Sequence, residues 1–265
     1  MSILIHSENA ITFNLFGLTI SVYGLLMAVG FIVAYFIANY LFHKNPEFKK
    51  DIALELLLII FPLSIIGARV YYCVFSETSF TFLEFLQIWN GGLAIYGGII
   101  GGLIGVIIYS LVKKINLLKL TDVIAVVLIL AQAIGRVGCY FGGCCYGIEV
   151  TNPNLMWFPL ARIIDGVWVY STFFYEAIWN ALGFIILYFV YNKTKQNGLT
   201  TGAYLAFYGF GRFFIEILRG DSLYIGSIKV SMLLSAILFI IGVVIIILSF
   251  VYNKKRQNNE QKQNS

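Results

Sequence analysis

The stretch 93–112, LAIYGGIIGGLIGVIIYSLV, runs without one charged side chain and is followed at once by Lys113 and Lys114. A bilayer core of about 30 Å takes ~20 residues of helix, so this segment alone is long and apolar enough to cross a membrane. Six further stretches qualify, at 20–42, 52–75, 120–141, 173–191, 203–218 and 230–252. The glycines of 93–112 recur at helical spacing, a pattern that lets helices approach closely in lipid. The expected architecture is an all-α polytopic membrane protein of about seven transmembrane helices.

Composition agrees. Of the 265 residues 60% are hydrophobic and 12% charged, with 23 Phe and 17 Tyr, against roughly 45–50% apolar and about 25% charged in soluble domains. Mean hydropathy is +0.86. A water-soluble fold cannot bury that much apolar surface, because large soluble chains split into several cores. A soluble enzyme, a disordered chain and a nucleic-acid binder are excluded. The four cysteines are too few for a disulfide scaffold. His6 and His43 leave little material for a zinc or copper site. No basic run precedes the first apolar stretch, so a cleavable signal peptide is not expected.

The loops set the orientation. Lys44, Lys49 and Lys50 follow the first span, Lys113, Lys114 and Lys119 the third, Lys193 and Lys195 the fifth, and Lys254, Lys255, Arg256 and Lys262 the last. The N-terminus and the alternate loops hold only Arg162, Arg219 and Lys229. The positive-inside rule then places the N-terminus outside and the C-terminus in the cytoplasm. Residues 1–19 read as an extracytoplasmic segment, with 3–18 a helix or strand on the membrane surface. Residues 20–252 form the seven-helix domain, and 253–265 a polar, disordered cytoplasmic tail.

Charges within spans cost several kcal/mol and mark functional sites by default. Seven occur: Glu55, Arg69, Asp122, Arg136, Glu176, Arg212 and Glu216. Glu55 and Asp122 fall near the cytoplasmic ends and read as structural. The topology brings the other five to the outer leaflet, with Tyr23 and Tyr96 beside them. Arg212 and Glu216 share one helix face at i and i+4, with Arg219 close behind. Guanidinium matches phosphate oxygens through paired hydrogen bonds, so this net-positive group points to an anionic lipid headgroup. Internal ion pairing is the alternative use of any one of them.

The densest feature is GRVGCYFGGCCYG at 135–147, five glycines in an irregular exit from the fourth span. Cys139, Cys144 and Cys145 share it, and Cys73 sits at the outer end of the second span. The spacing C-x4-C-C matches no recognised zinc pattern. A disulfide, a reactive thiol and simple packing all remain open.

This segment resembles the signature loop of the prolipoprotein diacylglyceryl transferase family, G-R-x-G-N-F-x-N-x-E-x-x-G. Other segments agree in order: ISVYGLLMAVGF around Tyr23, GARVYY at Arg69, and WNGGLAIYGG with Tyr96 where the family has histidine. FFYE carries the family's Tyr-Glu pair at Tyr175 and Glu176, and YGFGRFFIEILR its R-F-x-x-E-x-x-R stretch from Arg212 to Arg219. The resemblance covers the chain from about Tyr23 to Leu234.

It implies transfer of diacylglyceryl from phosphatidylglycerol to the lipobox cysteine of a prolipoprotein, as a thioether, at the outer leaflet of a bacterial cytoplasmic membrane. It assigns Arg136 and Arg212 to phosphate binding and Glu216 to orienting Arg212. Glu176 or Tyr96 is left to handle the thiol proton. Tyr23, Arg69, Gly138, Cys139, Cys144 and Gly147 join the phospholipid site. No cofactor or metal is called for. Within the signature, Cys139 replaces asparagine, Gly142 the second asparagine and Cys144 glutamate, so the phosphate site is better supported than the acceptor chemistry. The alternatives are a branch of the family with another acceptor, a thiol–disulfide oxidoreductase built on the Cys139, Cys144 and Cys145 cluster, and a transporter or lipid receptor. The last expects charges at mid-membrane and internal repeats, and neither is found.

Overall fold

Lipid offers the backbone no hydrogen-bond partner, so a spanning segment has to satisfy its N–H groups internally, as a helix does. The computed structural model describes residues 11–15, 18–49, 51–76, 82–87, 91–194, 196–220, 222, 224–226 and 228–263. In chain order these form strands β1 (Thr12–Leu15) and β2 (Leu18–Ser21), then helices α1 (Val22–Lys44), α2 (Ile52–Phe75), α3 (Phe82–Leu86), α4 (Ile95–Lys113) and α5 (Leu117–Gly142). Strands β3 (Ala161–Ile164) and β4 (Val167–Tyr170) precede α6 (Thr172–Lys193) and α7 (Leu199–Ile217). Strands β5 (Tyr224–Ile225) and β6 (Ile228–Lys229) lead into α8 (Val230–Gln263).

Among the described residues, six helices are long and apolar enough to cross a membrane: α1, α2, α4, α5, α6 and α8 as far as Asn253. The stretch 203–218, expected as a further span, lies in α7, which does not join that group. Its Arg212, Glu216, threonines and glycines dilute its apolarity. The protein is thus mostly helical, with three antiparallel hairpins beside the long helices. At the N-terminal end the strand alternative is the one found, whereas the C-terminal end differs from expectation. The part of the surface segment 3–18 that is described forms strands β1 and β2, and residues 1–10 lie outside the described residues. The tail after Asn253, read as disordered, continues α8 as helix to Gln263; its Lys, Gln and Glu residues are good helix formers and neither Gly nor Pro interrupts it.

The described chain forms two compact units, one of Tyr35–Thr121 and the other of the residues up to Ala34 together with those from Asp122 onward. In the first, α2 and α4 meet backbone to backbone. A Cβ at Gly97 would strike the carbonyl oxygen of Gly67, and one at Gly101 that of Leu63, which gives the glycine run of 93–112 its packing role. Glu55 pairs with Lys113 at 2.6 Å and accepts from Tyr109 at 2.7 Å, the structural use expected of it. In the second unit, Asp122 accepts from the backbone N–H groups of Gly198 and Thr201 and from the Thr201 hydroxyl, each at 2.7 Å. It caps the start of α7 from α5.

Gly101→Leu is expected to force α2 and α4 apart, at a cost of about 1–3 kcal/mol of overpacking strain. The measurement is a lowered unfolding midpoint in detergent, with Gly98→Ala on the same helix, where a Cβ makes only ordinary contacts at 3.6 Å and beyond, as the comparison.

Candidate active site

Helix α5 delivers Arg136, α6 delivers Glu176, and α7 delivers Arg212 and Glu216. Arg136 Nη2 lies 2.8 Å from Glu176 Oε1, and Arg212 Nη1 donates to Glu176 Oε2 at 2.9 Å. Arg212 Nη2 stands 2.7 Å from Glu216 Oε2 across one turn of α7. One carboxylate therefore joins guanidiniums from two other helices. The side chains of Glu176 and Glu216 are 3% and 1% exposed, that of Arg212 11% and that of Arg136 21%. Arg136 is thus the cation of the group most open to an incoming anion.

The remaining Glu216 oxygen accepts from the Ser222 hydroxyl at 2.6 Å. Lys229 Nζ donates to the carbonyl oxygens of Glu216 at 2.7 Å and Arg219 at 2.9 Å. A lysine on the last carbonyls of a helix suits the negative end of its dipole.

The signature loop begins with a helix stop. Gly143 takes a left-handed conformation, φ 61°, and the Cys144 N–H returns to the Cys139 carbonyl oxygen at 3.3 Å. This is the Schellman closure, for which a Cβ-free residue is favoured. Cys145 follows at φ 61°, a conformation non-glycine residues seldom adopt. The two turns fold the chain back on the end of α5, and the Sγ atoms of Cys139, Cys144 and Cys145 all come within 4.8 Å of one another. All three are free thiols.

Arg136 Nη1 donates to Cys145 Sγ at 3.4 Å and Arg219 Nη2 at 3.6 Å. Hydrogen bonding from the Cys139 and Cys144 thiols, with the Arg136 and Arg219 guanidiniums beside it, holds the Cys145 thiol well below its ordinary value despite burial. The loop is tied down further by the Thr172 hydroxyl, which donates to the Cys145 carbonyl oxygen at 2.8 Å. Gly147 pairs with Arg219, where a Cβ would meet the Leu218 carbonyl oxygen at 2.6 Å. The Tyr23 ring lies against Gly138, where a Cβ would come within 3.1 Å of it, and beside Gly142.

Of the residues picked out from the sequence, Tyr23, Arg136, Gly138, Cys139, Cys144, Gly147, Glu176, Arg212 and Glu216 thus fall in the second unit. Arg69 and Tyr96 fall in the first. Arg69 is 5% exposed and donates to the carbonyl oxygens of Phe85 at 2.9 Å, Gly91 at 2.8 Å, Gly92 at 3.0 Å, and Glu84. Its described bonds clamp the chain between α2 and α4. The Tyr96 ring stands 6.3 Å from that of Tyr71.

The chain belongs to the prolipoprotein diacylglyceryl transferase family. The model of that family matches residues 10–248. The phosphatidylglycerol–prolipoprotein diacylglyceryl transferase 1 of Clostridium perfringens is 38% identical over 256 residues, 94% of this chain and 97% of its own length. The transferase of Clostridium novyi is 39% identical over 252 residues, covering 93% and 98%. That of Streptococcus agalactiae is 38% identical over 258 residues, covering 94% and 98%.

Reading the sequence of this family member for charges alone passes over several groups. Cys145, read in the sequence as part of the thiol cluster and not placed in the lipid site, stands between the two arginines, and Lys229, counted only as a loop charge, caps α7. Gln132 donates to the Tyr204 hydroxyl at 3.0 Å. Asn180, one turn from Glu176, is fully buried, and its amide nitrogen and oxygen find no hydrogen-bond partner among the described residues. A search for uncharged amides inside spans would have found the last two.

Glu176→Gln removes the charge shared by Arg136 and Arg212. Breaking a buried pair on one side typically costs about 3–5 kcal/mol, so its unfolding midpoint in detergent is expected to fall well below that of Glu55→Gln. The latter interrupts an exposed pair that contributes little.

Proposed function

We propose that this chain transfers the diacylglyceryl group of phosphatidylglycerol to the lipobox cysteine thiol of a prolipoprotein, forming a thioether and releasing glycerol phosphate. The observation that carries this reading is the pair Arg136 and Arg212, held from two helices by Glu176, with Arg219 reached through Cys145. Three guanidiniums against two carboxylates leave an excess of positive charge, and the planar fork of arginine suits phosphate oxygens. The sulfur attacks the glycerol carbon that bears the phosphate. Negative charge then grows on the departing oxygen, where preoriented guanidiniums are most effective.

In this reading Arg136 and Arg212 bind the phosphate. Glu216 is a positioning residue that orients Arg212. Glu176 is a positioning residue as well: both its oxygens face guanidiniums, which leaves it poorly placed to take the thiol proton. Tyr23 and the glycine face of α5 border the lipid. The basic loops favour an N-terminus outside and a site at the outer leaflet of a bacterial cytoplasmic membrane, where phospholipid and secreted precursor meet. Residues 20–252 make up the membrane domain.

The test uses the full chain in detergent with acyl-labelled phosphatidylglycerol and a synthetic lipobox peptide. Mass spectrometry is expected to find the diacylglyceryl thioether on the peptide cysteine. Arg136→Ala is expected to lower the rate by roughly a hundredfold or more, the scale of losing an oxyanion-stabilising donor. Arg136→Lys, which keeps the charge without the fork, should fall between. Lipid consumed with a bare peptide would transfer the reading to another acceptor, and untouched lipid with a folded protein would refute it.

A further inference from the structure

The cysteines at 139, 144 and 145 stand where the family's signature, as it resembles this segment, carries asparagine, glutamate and an unspecified residue, and Tyr96 stands at its histidine. The carboxylate and the imidazole that could take an acceptor thiol's proton are thus absent from those positions, and three thiols have gathered at one point instead. We propose that Cys139, Cys144 and Cys145 bind a Zn2+ ion whose fourth position takes the acceptor cysteine and presents it as a thiolate. The metal site stands on the thiol cluster; its use in thiol activation rests on the transferase reading above.

The geometry suits the ion. Three sulfurs about 2.3 Å from a tetrahedral zinc stand roughly 3.8 Å apart. The three Sγ atoms already lie within 4.8 Å of one another, in a turn set by the left-handed Gly143 and Cys145, so small side-chain rotations complete the set. Thiolate ligands select zinc over the hard divalent ions. Three protein ligands with one open position is the arrangement of a catalytic zinc rather than a closed structural one. Guanidinium N–H groups at 3.4 and 3.6 Å from Cys145 Sγ supply the outer hydrogen bonds that orient a ligand and offset the negative charge of a tri-thiolate site.

The chemistry suits the reaction. A free thiol is only a few per cent thiolate at neutral pH, whereas a thiol on zinc is deprotonated. The acceptor S–H loses its proton to solvent as the sulfur joins the metal. The C–S bond then forms at the glycerol carbon as the C–O bond to phosphate breaks, and the electron pair leaves on the phosphate oxygen. Zinc is neither oxidised nor reduced. Arg136 touches both Cys145 and Glu176, so the thiolate would be generated beside the guanidinium that receives the leaving group.

The experiment uses the full chain purified with reductant and without chelator. Elemental analysis is expected to find about one zinc per chain. Cys139→Ser, Cys144→Ser and Cys145→Ser should lose it and lower transfer by at least roughly tenfold, while Cys73→Ser, in the other unit, should keep both. Cys144→His retains a ligand and should retain metal, which separates lost coordination from misfolding. After exchange into Co2+, the protein should show sulfur-to-cobalt charge-transfer bands that change on adding a lipobox peptide and not its Cys→Ser counterpart. Absent zinc together with absent cobalt bands, or two of the thiols found as a disulfide, overturns the site. Turnover that is indifferent to removing the metal overturns its role and leaves the transferase reading intact. Cobalt bands that answer the thiol peptide in a protein that makes no thioether support the site and overturn the transferase reading.

Discussion

The arrangement of the second unit depends on one buried carboxylate. Glu176 sits between Arg136 of α5 and Arg212 of α7, and the Arg212 guanidinium in turn meets Glu216. Charges so little exposed are tolerable only while each has a partner, so the three helices have to keep the register that pairs them. The same constraint prepares the site. In the proposed reaction, guanidiniums already desolvated and held in place would need little rearrangement to accept phosphate oxygens, and pre-orientation of this kind is where electrostatic stabilisation is strongest.

The signature loop extends that cluster by backbone geometry. A Schellman closure ends α5, a second left-handed residue follows, and the chain turns to pair Gly147 with Arg219. Two consequences come from one turn. Arg219 is brought to the same sulfur as Arg136, and three cysteines that the chain separates by up to six positions share one small volume. The loop thus places a thiol cluster directly against the cations that would carry the leaving group.

Charge within a membrane has more than one use in this molecule. Arg69 spends its described hydrogen bonds on carbonyl oxygens of α3 and of Gly91 and Gly92, backbone groups that lipid could not satisfy. Asp122 caps the start of α7, and Glu55 meets Lys113 at the end of α4. Their partners distinguish them: backbone groups for Arg69 and, with the Thr201 hydroxyl, for Asp122, one half-exposed lysine for Glu55, and buried charges from neighbouring helices for the cluster around Glu176.

Apolar length and glycine spacing made the helical, membrane-spanning character legible, because lipid acts on each segment through its own residues. Collinear motifs made the family legible, along with Arg136, Glu176, Arg212 and Glu216. Helix α7 was harder to read because the same charges that mark the site weaken its apolar signal. That Glu176 bridges two arginines, and so is not a free base, depended on packing among three helices separated by tens of residues. So did the company of Cys145, whose neighbours in sequence say nothing of Arg219. Periodicity specifies which face a residue occupies on its own helix; which faces meet is decided by tertiary packing, through the pairing that buried charge demands and the close approach that glycine permits.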